Sequence, residues 1–495
     1  MTLAEVLSGV KLRGELLTDV TSEVGGLEYD SRRVGKDFLF FAFAGSRQDG
    51  RSFAQEAMGR GALAVVSDQA RPANFNGIWI EVEHGRRALA VAARNFYRRV
   101  DERVLFTGIT GTNGKTTTSY LIDSILRGAG FVTALVGTIE YRLAGEVLHA
   151  ANTTPESLDV LRMASELEQR GGTNVKTGFT MEVSSHALAL GRVFGIRFHT
   201  AVFTNLTRDH LDFHRTMEEY AAAKRTLFVP EDSPAPAWSV LNFDDAAARD
   251  FSNAGSRTIW YGLSPGAALT AENITTGFDG LRFDLLYQGA RQAVTSPLVG
   301  RINVWNILAA AGAGISYGLD LAAIARGVAE CRAVPGRFER VAAGQPFLVV
   351  VDYAHTDDAL RNSIQVARGL THGRVITLFG CGGDRDRSKR PLMGMAAAEL
   401  SDFVVLTSDN PRSEDPLDIM NDAMVGLRRF DTPHVAEPDR AIAIRKALEE
   451  AAPGDVVLLA GKGHETYQVL KDRTIDFDDR ETARRVLGSL GYGSG

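Results

Sequence analysis

The chain has 495 residues, 44% of them hydrophobic, and a formal net charge of −6 at pH 7. A chain of this length is expected to fold into about three domains with sizeable cores. The negative charge gives no overall basic field for nucleic acid or an anionic membrane, so anionic substrates must be bound by local clusters. Two cysteines, Cys331 and Cys381, are too few for a disulfide framework and indicate reduced thiols in a cytoplasmic protein.

The sequence predicts neither a secretory signal nor a membrane span. Acidic residues such as Glu5 stand among scattered leucines at the start, without the basic residues and unbroken apolar stretch of a signal peptide. The most apolar long region, residues 307–329, is interrupted by a glycine and two charged residues, so it predicts two packed helices. We therefore expect a cytoplasmic location.

The first hundred residues predict a small α/β domain. Residues 38–43 and 63–66 are apolar strand candidates, and residues 53–61 have helical character. A turn at residues 30–32 precedes the first strand, and its backbone amides, arginine and Ser31 hydroxyl can bind phosphate. An ordinary polar turn explains the same residues, and the pattern alone favours that alternative.

The stretch VLFTGITGTNGKTTT, residues 104–118, predicts a phosphate-binding loop. After an apolar strand at residues 104–106, the chain is expected to turn through Gly108, Gly111 and Gly114. Glycines let backbone amides approach an anion, the following helix adds its positive end, Lys115 supplies a point charge, and the next threonine can bind magnesium. The strict P-loop pattern has glycine where this chain has Ile109, and a glycine-rich turn without a ligand is the alternative.

From residue 101 to residue 334 strands and helices alternate, which predicts a mostly parallel sheet covered on both faces. The strand candidates are residues 104–106, 133–136, 179–183, 201–203, 239–241 and 258–261. Ligands of such sheets lie beyond the carboxyl ends of the strands. One strand ends in a polar cluster that contains Glu182, and another ends in a polar cluster that contains His210. Both residues are candidates for binding a phosphate-bound magnesium ion. A structural role for each is the alternative.

Three further motifs of this region have more than one interpretation. The turn at Thr153 and Thr154 either binds sugar or phosphate oxygens or caps the following helix. Lys224 falls on a helix whose periodicity alone predicts a surface lysine. Asn303 and Asn306 fall on one face of an alanine-rich helix.

A proline-glycine pair at residues 335–336 marks the next boundary, beyond which a third α/β domain is predicted. Its strand candidates are residues 347–351, 375–379, 404–406 and 456–459, and each is followed by a polar loop. Four such loops at one sheet edge predict a binding face. Its arginines suit carboxylates, and Asp409 and Glu465 suit ammonium groups, so an amino acid with charges at both ends is the expected ligand.

The motifs of all three regions together resemble the Mur ligase family. They are GTNGKTT, MEVSSHAL, TNLTRDHLDFH, GRINVWN, GRFER, VDYAHT, FGCGGDRDRSKRPLMG, DNPRSEDP and AGKGHETYQ. The resemblance covers essentially the whole chain and is strongest to the members that use diaminopimelate. It implies an α/β, three-domain Mur ligase architecture. A UDP-substrate-binding domain is expected at residues 1–100, a central ATP-binding domain with a P-loop-type, mostly parallel sheet at residues 101–334, and a Rossmann-like amino-acid-binding domain at residues 335–495.

The resemblance also implies roles for individual residues. ATP is expected to contact Gly111, Thr112, Asn113, Gly114, Lys115, Thr116, Thr117, Asn303, Arg337, Asp352 and His355. The UDP-linked substrate is expected to contact Ser31, Thr153, Thr154, Ser184 and Arg192. Diaminopimelate is expected to contact Arg385, Asp409, Asn410, Arg412, Gly461 and Glu465. The catalytic residues are expected to be Lys115, Glu182, His210 and Lys224. Magnesium is expected at Thr116, Glu182, His210 and Lys224, the last as the carbamate that many Mur ligases carry.

The implied reaction is the ATP-dependent addition of meso-diaminopimelate to UDP-N-acetylmuramoyl-L-alanyl-D-glutamate, through an acyl phosphate, in peptidoglycan synthesis. We expect a monomer without a nucleic-acid partner. Two positions depart from the family pattern. Asp357 stands where relatives commonly have proline, and Leu190 stands where some relatives have a polar residue, so altered local contacts are expected at both.

Two other functions are compatible with parts of the sequence. A folylpolyglutamate synthase shares the ligase architecture, but the full first domain and the DNPR segment argue against it. A nucleotide-binding scaffold that kept the fold without activity is the other alternative. The presence of Lys115, Glu182, His210 and Lys224 argues against that alternative.

Overall fold

A computed structural model of the chain describes residues 1–14, 18–45, 48–172 and 175–493. Helices α1 to α15 are, in order, Leu3–Val6, Ala54–Gly59, Gly85–Phe96, Lys115–Gly128, Ser157–Gly171, Ser185–Ala189, Leu211–His214, Met217–Arg225, Ile302–Ser316, Leu321–Glu330, Asp357–Arg368, Lys389–Leu400, Pro416–Leu427, Arg440–Glu450 and Asp479–Ser489. Strands β1 to β23 are, in order, Gly26–Glu28, Phe38–Ala42, Ala64–Ser67, Trp79–Glu81, Leu105–Thr110, Val132–Val136, Glu140–Leu143, Glu146–His149, Thr177–Glu182, Thr200–Phe203, Trp238–Asn242, Arg257–Tyr261, Leu269–Gly277, Gly280–Tyr287, Ala290–Ser296, Glu339–Val341, Leu348–Asp352, Val375–Cys381, Phe403–Ser408, His434–Glu437, Val456–Ala460, Tyr467–Val469 and Thr474–Asp476.

The chain forms two compact units. Unit 1 comprises Met1–Thr270 and Leu308–Gly327, and unit 2 comprises Ala271–Ile307 and Val328–Gly495. Within the described residues, no helix is both long and apolar enough to cross a membrane. Cys331 and Cys381 are both buried.

Unit 1 contains two sheets that are mostly parallel. Strands β1 to β4 form one of them in sequence order, all parallel. In the other, β5 lies between β9 and β10, with β11 and β12 beyond β10 and with β6, β7 and β8 beyond β9. The strands from β12 to β6 are parallel, and β7 and β8 add an antiparallel edge. Strands β9 and β10 are buried along their whole length, as parallel strands covered on both faces should be.

Unit 2 is built on a sheet in the order β16-β17-β21-β18-β19-β20. All of its neighbouring strands are parallel except β16, which runs antiparallel to β17. Strand β18 is buried at every position, and apolar clusters fill both faces of the sheet. Because β17, β18, β19 and β21 are parallel, the loops that follow them emerge at one edge, as the sequence predicted. Unit 2 also contains the antiparallel hairpin of β14 and β15.

The predicted α/β class is confirmed, and each predicted strand is present. One local prediction is wrong. Strand β5 continues to Thr110, so Gly108 lies within the strand and is not a turn residue. A side chain at Gly108 would lie 2.7 Å from the Phe198 ring, so this glycine serves close packing. Ile109 is fully buried and pairs with Val202, which explains why an apolar residue stands in this position.

Candidate active site

The loop between β5 and α4 has the geometry of an anion cradle. Gly111 has φ 149 and Gly114 has φ 85, and Gly114 is the N-cap residue immediately before α4. A Cβ added at Gly111 would lie 1.9 Å from the Thr204 hydroxyl oxygen, so no other residue fits there. The free amides at the start of a helix and the positive end of its dipole favour a phosphate group at this place.

The loop after β10 fixes the shape of this cradle. The Asn205 side chain accepts a hydrogen bond from the Asn113 amide at 2.9 Å, and the Asn205 carbonyl accepts one from the Thr112 amide at 2.8 Å. Thr204 donates its hydroxyl to the Asn113 carbonyl at 2.6 Å. The cradle is therefore held in one conformation by Thr204 and Asn205, which lie in the loop that follows the neighbouring strand β10.

Lys115 and Thr116 are the first two residues of α4. The Lys115 ammonium donates to the carbonyls of Gly111 and Thr112, both at 2.9 Å. The Thr116 hydroxyl donates to the Glu182 carboxylate at 3.1 Å. The cation and the magnesium-binding hydroxyl expected from the sequence are thus both present beside the glycines.

Glu182 is a buried carboxylate, 1% exposed, at the end of β9. Besides Thr116, it accepts hydrogen bonds from the amide of Thr138 at 2.9 Å and from its hydroxyl at 3.1 Å. A hydroxyl and a carboxylate fit magnesium, which commonly takes one or two carboxylates and completes its shell with phosphate oxygens and water. In the part of the chain that the structure describes, no group of three or more His, Cys, Asp or Glu side chains is arranged to hold a metal by itself.

Lys224 lies on α8 and is only 1% exposed, so the surface position that the helix periodicity predicts is wrong. Its ammonium donates to the Gly111 carbonyl at 2.9 Å and lies 4.3 Å from the centre of the Tyr220 ring. Lys115 donates to the same carbonyl. Burial, and then the charge of Lys115, lower the pKa of Lys224 well below its usual value, against the opposing effect of Asp209. Both effects shift Lys224 toward its neutral amine form.

His210 immediately precedes α7, with φ 53 and a partly exposed ring. Burial lowers its pKa to about 4, the charges of Lys115 and Lys224 act in the same direction, and Asp209 opposes them. Neutral imidazole is the form that binds metals. Lys115, Glu182, His210 and Lys224 are thus assembled around the cradle of unit 1.

A second cluster of unit 1 surrounds the turn before α5. The Thr154 hydroxyl donates to the Glu182 carbonyl at 2.9 Å and accepts from the Ser184 amide at 3.0 Å. Arg192 donates to the Thr154 carbonyl at 3.0 Å, and the Thr153 hydroxyl lies 3.2 Å from that of Thr138. The expected substrate residues of this region therefore lie together, next to the carbonyl of the buried carboxylate residue.

Ser31 lies in a short 3₁₀ turn that begins after Asp30, whose side chain caps it. Its hydroxyl donates to Glu56 at 3.1 Å, and Ser31 is buried. An ion-pair network fixes the neighbouring strand β1 against α5. Buried Glu28 pairs with Arg162 at 3.1 Å.

In unit 2, Asn303 lies in the first turn of α9 and Asp352 is the last residue of β17, whereas Arg337 precedes β16 and His355 precedes α11. Asn303 accepts from the Asn306 side chain at 2.9 Å, which confirms that the two share a helix face. The Asp352 carboxylate accepts from the Phe338 amide at 2.7 Å. Burial raises the pKa of Asp352, which hydrogen bonding and the charge of Arg337 oppose.

The loops after β18, β19 and β21 gather the residues expected to bind diaminopimelate. A Cβ added at Gly382 would lie 3.0 Å from the Arg412 guanidinium and 3.8 Å from the Arg385 side chain, so these two arginines flank one glycine. The Asn410 side chain donates to Glu465 at 2.8 Å. A Cβ added at Gly461, which has φ 116, would lie 3.5 Å from the Asp409 carboxylate. Two arginines and two carboxylates therefore occur at one sheet edge.

Comparison with known proteins agrees with this arrangement. The chain matches the sequence models described as "Mur ligase family, catalytic domain" over residues 23–97, "Mur ligase middle domain" over residues 109–314 and "Mur ligase, glutamate ligase domain" over residues 336–463. A relative from Solibacter usitatus, named UDP-N-acetylmuramoyl-L-alanyl-D-glutamate--2,6-diaminopimelate ligase, is 64% identical over 99% of each chain. The chain belongs to the Mur ligase family.

Other Mur ligases are similar over the same length. A relative of the same name from Geobacillus thermodenitrificans is 45% identical over 94% of this chain and 95% of its own. A solved structure of a UDP-N-acetylmuramoyl-L-alanyl-D-glutamate--2,6-diaminopimelate ligase covers 99% of both chains with 32% identity and a TM-score of 0.72. The three-domain Mur ligase architecture expected from the sequence is thereby confirmed.

The two departures from the Mur ligase pattern have different local consequences. Asp357 is the first residue of α11, after the capping residue Thr356. Proline is favoured at that position because of its fixed φ, and aspartate is favoured in the first turn because of the helix dipole, so either residue supports the same helix start. Leu190 ends α6, is partly buried, and donates its amide to the His186 carbonyl at 2.9 Å.

Three residues that contact the predicted site residues were not themselves predicted as site residues. Thr138 follows β6 and Glu156 precedes α5, where it pairs with Arg192 at 3.3 Å. Lys462 follows β21 and is fully buried among the unit 2 residues described above. The rule that polar residues beyond strand ends form the site would have found Thr138 and Lys462, whereas no pattern in the sequence singles out Glu156.

Proposed function

We propose that this chain is an ATP-dependent ligase that joins meso-diaminopimelate to UDP-N-acetylmuramoyl-L-alanyl-D-glutamate, a step of peptidoglycan synthesis. The observation that carries the proposal is the full-length similarity to the Solibacter usitatus ligase. The chemistry of the clusters in both units supports it.

The reaction has two steps. The carboxylate of the substrate's D-glutamate attacks the γ-phosphorus of ATP, which forms an acyl phosphate and releases ADP. The amine of diaminopimelate then attacks the acyl carbon, an amide bond forms, the amine loses a proton, and inorganic phosphate leaves. The first step spreads negative charge over the phosphoryl oxygens, and the second places it on the acyl oxygen and then on the leaving phosphate, so positive groups fixed in advance lower both barriers.

The cradle of unit 1 supports the first step. Its glycines, Asn113 and Thr117 would bind the ATP phosphates, and Lys115 would move from its loop carbonyls to the transferring phosphoryl group. Thr116, Glu182, His210 and a carbamate on Lys224 would hold magnesium, which would neutralise charge on the phosphates when bound. In unit 2, Asn303, Arg337, Asp352 and His355 would contact the nucleotide.

The buried environment of Lys224 supports its carbamylation. Carbon dioxide reacts with a neutral amine to form a carbamate and release a proton, and burial beside Lys115 shifts Lys224 toward the neutral form. An ammonium group at this place would repel both Lys115 and a bound cation. A carbamate replaces that positive charge with an acceptor that suits a hard metal ion.

The UDP-linked dipeptide would be bound by Ser31, Thr153, Thr154, Ser184 and Arg192. In the structure these residues offer hydroxyls and a guanidinium, which suit sugar, phosphate and carboxylate oxygens. The hydrogen bond from the Thr154 hydroxyl to the Glu182 carbonyl, 2.9 Å long, would hold the substrate-binding turn at a fixed distance from the phosphate cradle.

The amino acid would be bound in unit 2. Arg385 and Arg412 suit the distal carboxylate that diaminopimelate has and L-lysine lacks, because a guanidinium can hold a carboxylate through two parallel hydrogen bonds. Asp409, Asn410, Gly461 and Glu465 suit the ammonium group beside it. L-lysine would leave the arginines without a partner, which is costly in a desolvated pocket.

We also propose that the chain divides into a UDP-substrate domain at residues 1–100, an ATP-binding domain at residues 101–334 and an amino-acid domain at residues 335–495. Each family-model match falls within one of these ranges. We further propose that the protein is a monomer. A cytoplasmic location is proposed because its nucleotide substrates are cytoplasmic molecules.

Release of ADP from ATP tests the proposed function. It is measured with the UDP-linked dipeptide alone, with meso-diaminopimelate alone, and with both. The proposal predicts sustained ADP formation only when both are present. Sustained ADP formation with a folate and glutamate, and none with the dipeptide and diaminopimelate, would contradict it and support a folylpolyglutamate synthase instead.

A further inference from the structure

A lysine that none of the roles above uses lies at the centre of the unit 2 cluster. Lys462 follows β21 and is 0% exposed. Its ammonium lies 3.3 Å from the Glu465 carboxylate, 3.6 Å from the Asp409 carboxylate and 3.3 Å from the Asn410 side-chain oxygen. It also lies 5.8 Å from the centre of the Tyr467 ring. A single buried cation thus contacts three of the residues proposed to bind diaminopimelate.

The charges around Lys462 do not cancel within this group. Asp409 and Glu465 supply two negative charges and Lys462 supplies one positive charge. Arg440, a buried cation of the same sheet edge, is bound to Asp479 at 2.6 Å with both side chains fully buried, so that pair is neutral by itself. Buried charges are rarely left without a partner. One negative charge of the group therefore remains for a ligand.

The hydrogen bonds indicate that Asp409 is the carboxylate that carries this remaining negative charge. One Glu465 oxygen is shared by Asn410 at 2.8 Å and Lys462 at 3.3 Å. Asp409 Oδ1 is buried and lies 3.6 Å from the Lys462 ammonium, beyond hydrogen-bond distance, and within the described part of the chain it accepts no hydrogen bond. A buried acceptor without a donor is costly, and a ligand ammonium would supply the missing donor.

We infer that Lys462 is a positioning residue that sets the charge of the amino-acid pocket. It neutralises Glu465, holds Asn410 in place through its side-chain oxygen, and leaves Asp409 as the acceptor for one ligand ammonium. The pocket then presents one negative charge beside Arg385 and Arg412, which matches an amino-acid end that carries both an ammonium and a carboxylate. This inference rests on the proposed function and assigns a role to a residue outside it.

A double-mutant cycle in the full-length protein tests the inference. Lys462→Met removes the cation at similar length, Glu465→Gln removes one carboxylate, and the double variant restores a net charge of one negative. For each protein, kcat and the KM values for meso-diaminopimelate and ATP are measured, and folding is followed by thermal unfolding. Arg445→Ala, at an exposed ion pair of α14, serves as the matched control.

In Lys462→Met two uncompensated carboxylates repel each other, so the acceptor for the ligand ammonium is no longer fixed. Its KM for diaminopimelate should rise at least about tenfold while the KM for ATP stays within about twofold, and Glu465→Gln should show a similar split. The double variant should lie closer to wild type than either single variant. Recovery of folding in the double variant, if Lys462→Met unfolds, would support the same charge balance.

Additive defects, with the double variant worse than both single variants, would overturn the inference, as would a Lys462→Met enzyme within twofold of wild type. A double variant that fails to fold while Glu465→Gln folds would show that Lys462 acts through packing and would also overturn it. Wild-type enzyme that forms no ADP with diaminopimelate would instead contradict the proposed function, so the two failures are distinguishable.

Discussion

Lys115 lies folded over its own loop, where its ammonium donates to the carbonyls of Gly111 and Thr112. In the reaction it would exchange these bonds for bonds to the transferring phosphoryl group. Charged hydrogen bonds contribute about 1.5–3 kcal/mol each, so Lys115→Ala should lower turnover by about a hundredfold or more. ADP formation under saturating substrates measures this. Lys36→Ala, at a lysine with a 90% exposed side chain, should remain near wild type. Turnover of Lys115→Ala within twofold of wild type would refute the role.

Lys224 allows a test by chemical rescue. Lys224→Ala should lose most activity, and short carboxylic acids such as acetate or formate should restore part of it, because they supply the carboxylate oxygens of the missing carbamate. In wild-type protein supplied with ¹³C-labelled bicarbonate, a carbamate carbon signal should appear by NMR and should be absent from the variant. Full activity of the alanine variant without added acid would exclude the metal-binding role.

These two lysines also show how far sequence reasoning reaches at the residue scale. Lys115 follows the last cradle glycine, so its position is dictated by chain connectivity and its placement could be predicted. Lys224 falls in EEYAAAKR, where helical periodicity cannot distinguish a buried lysine from a surface one. Its burial depends on Tyr220 and on the Gly111 carbonyl of a distant loop. Only the family resemblance pointed to its role.

At the scale of elements, the cradle depends on the close approach of two loops. Gly111→Ala would place a Cβ 1.9 Å from the Thr204 hydroxyl and 3.0 Å from the Asn205 amide, so the loop must move. We expect the KM for ATP to rise, turnover to fall by about tenfold or more, and the unfolding temperature to fall modestly.

Gly130→Ala is a matched control for this prediction. Gly130 also has a positive φ, 84, but an added Cβ would meet no described atom within 4 Å. It should cost about 1–2 kcal/mol of stability through backbone strain and leave the KM for ATP unchanged. If the two alanine variants had the same activity, the close approach at Gly111 would have no functional importance.

The elements that sequence reasoning found and missed differ in physical type. Buried parallel strands such as β18 read as unbroken apolar runs, so they could be predicted. The antiparallel strand β14 alternates buried and partly exposed residues, from Leu281 through Phe283 to Leu285, and it ends in a tight turn at Gln288 and Gly289. That alternation was available in the sequence, but in a chain of helices and parallel strands it is the weaker signal. The extent of β5 to Thr110 depended on pairing with both neighbouring strands, which no local pattern reveals.

At the scale of the whole molecule, the net charge of −6 does not describe the charge at individual sites. Lys115 and Lys224 lie at the cradle of unit 1, and Arg385 and Arg412 lie at the sheet edge of unit 2, where a nucleotide and an amino-acid carboxylate would be bound. The parallel topology of both sheets makes this possible, because it brings loops from distant parts of the chain to one edge. The ordered motifs could therefore be read from the sequence, whereas the hydrogen bonds that unite them required the structure.

Substrate choice is the measurement that tests the central claim most directly. The specificity constants, kcat/KM, are measured side by side for meso-diaminopimelate and L-lysine with saturating ATP and UDP-linked dipeptide. Because lysine would leave Arg385 and Arg412 without a carboxylate, we predict a preference for diaminopimelate of about a thousandfold or more. Comparable specificity constants for the two amino acids would contradict the account.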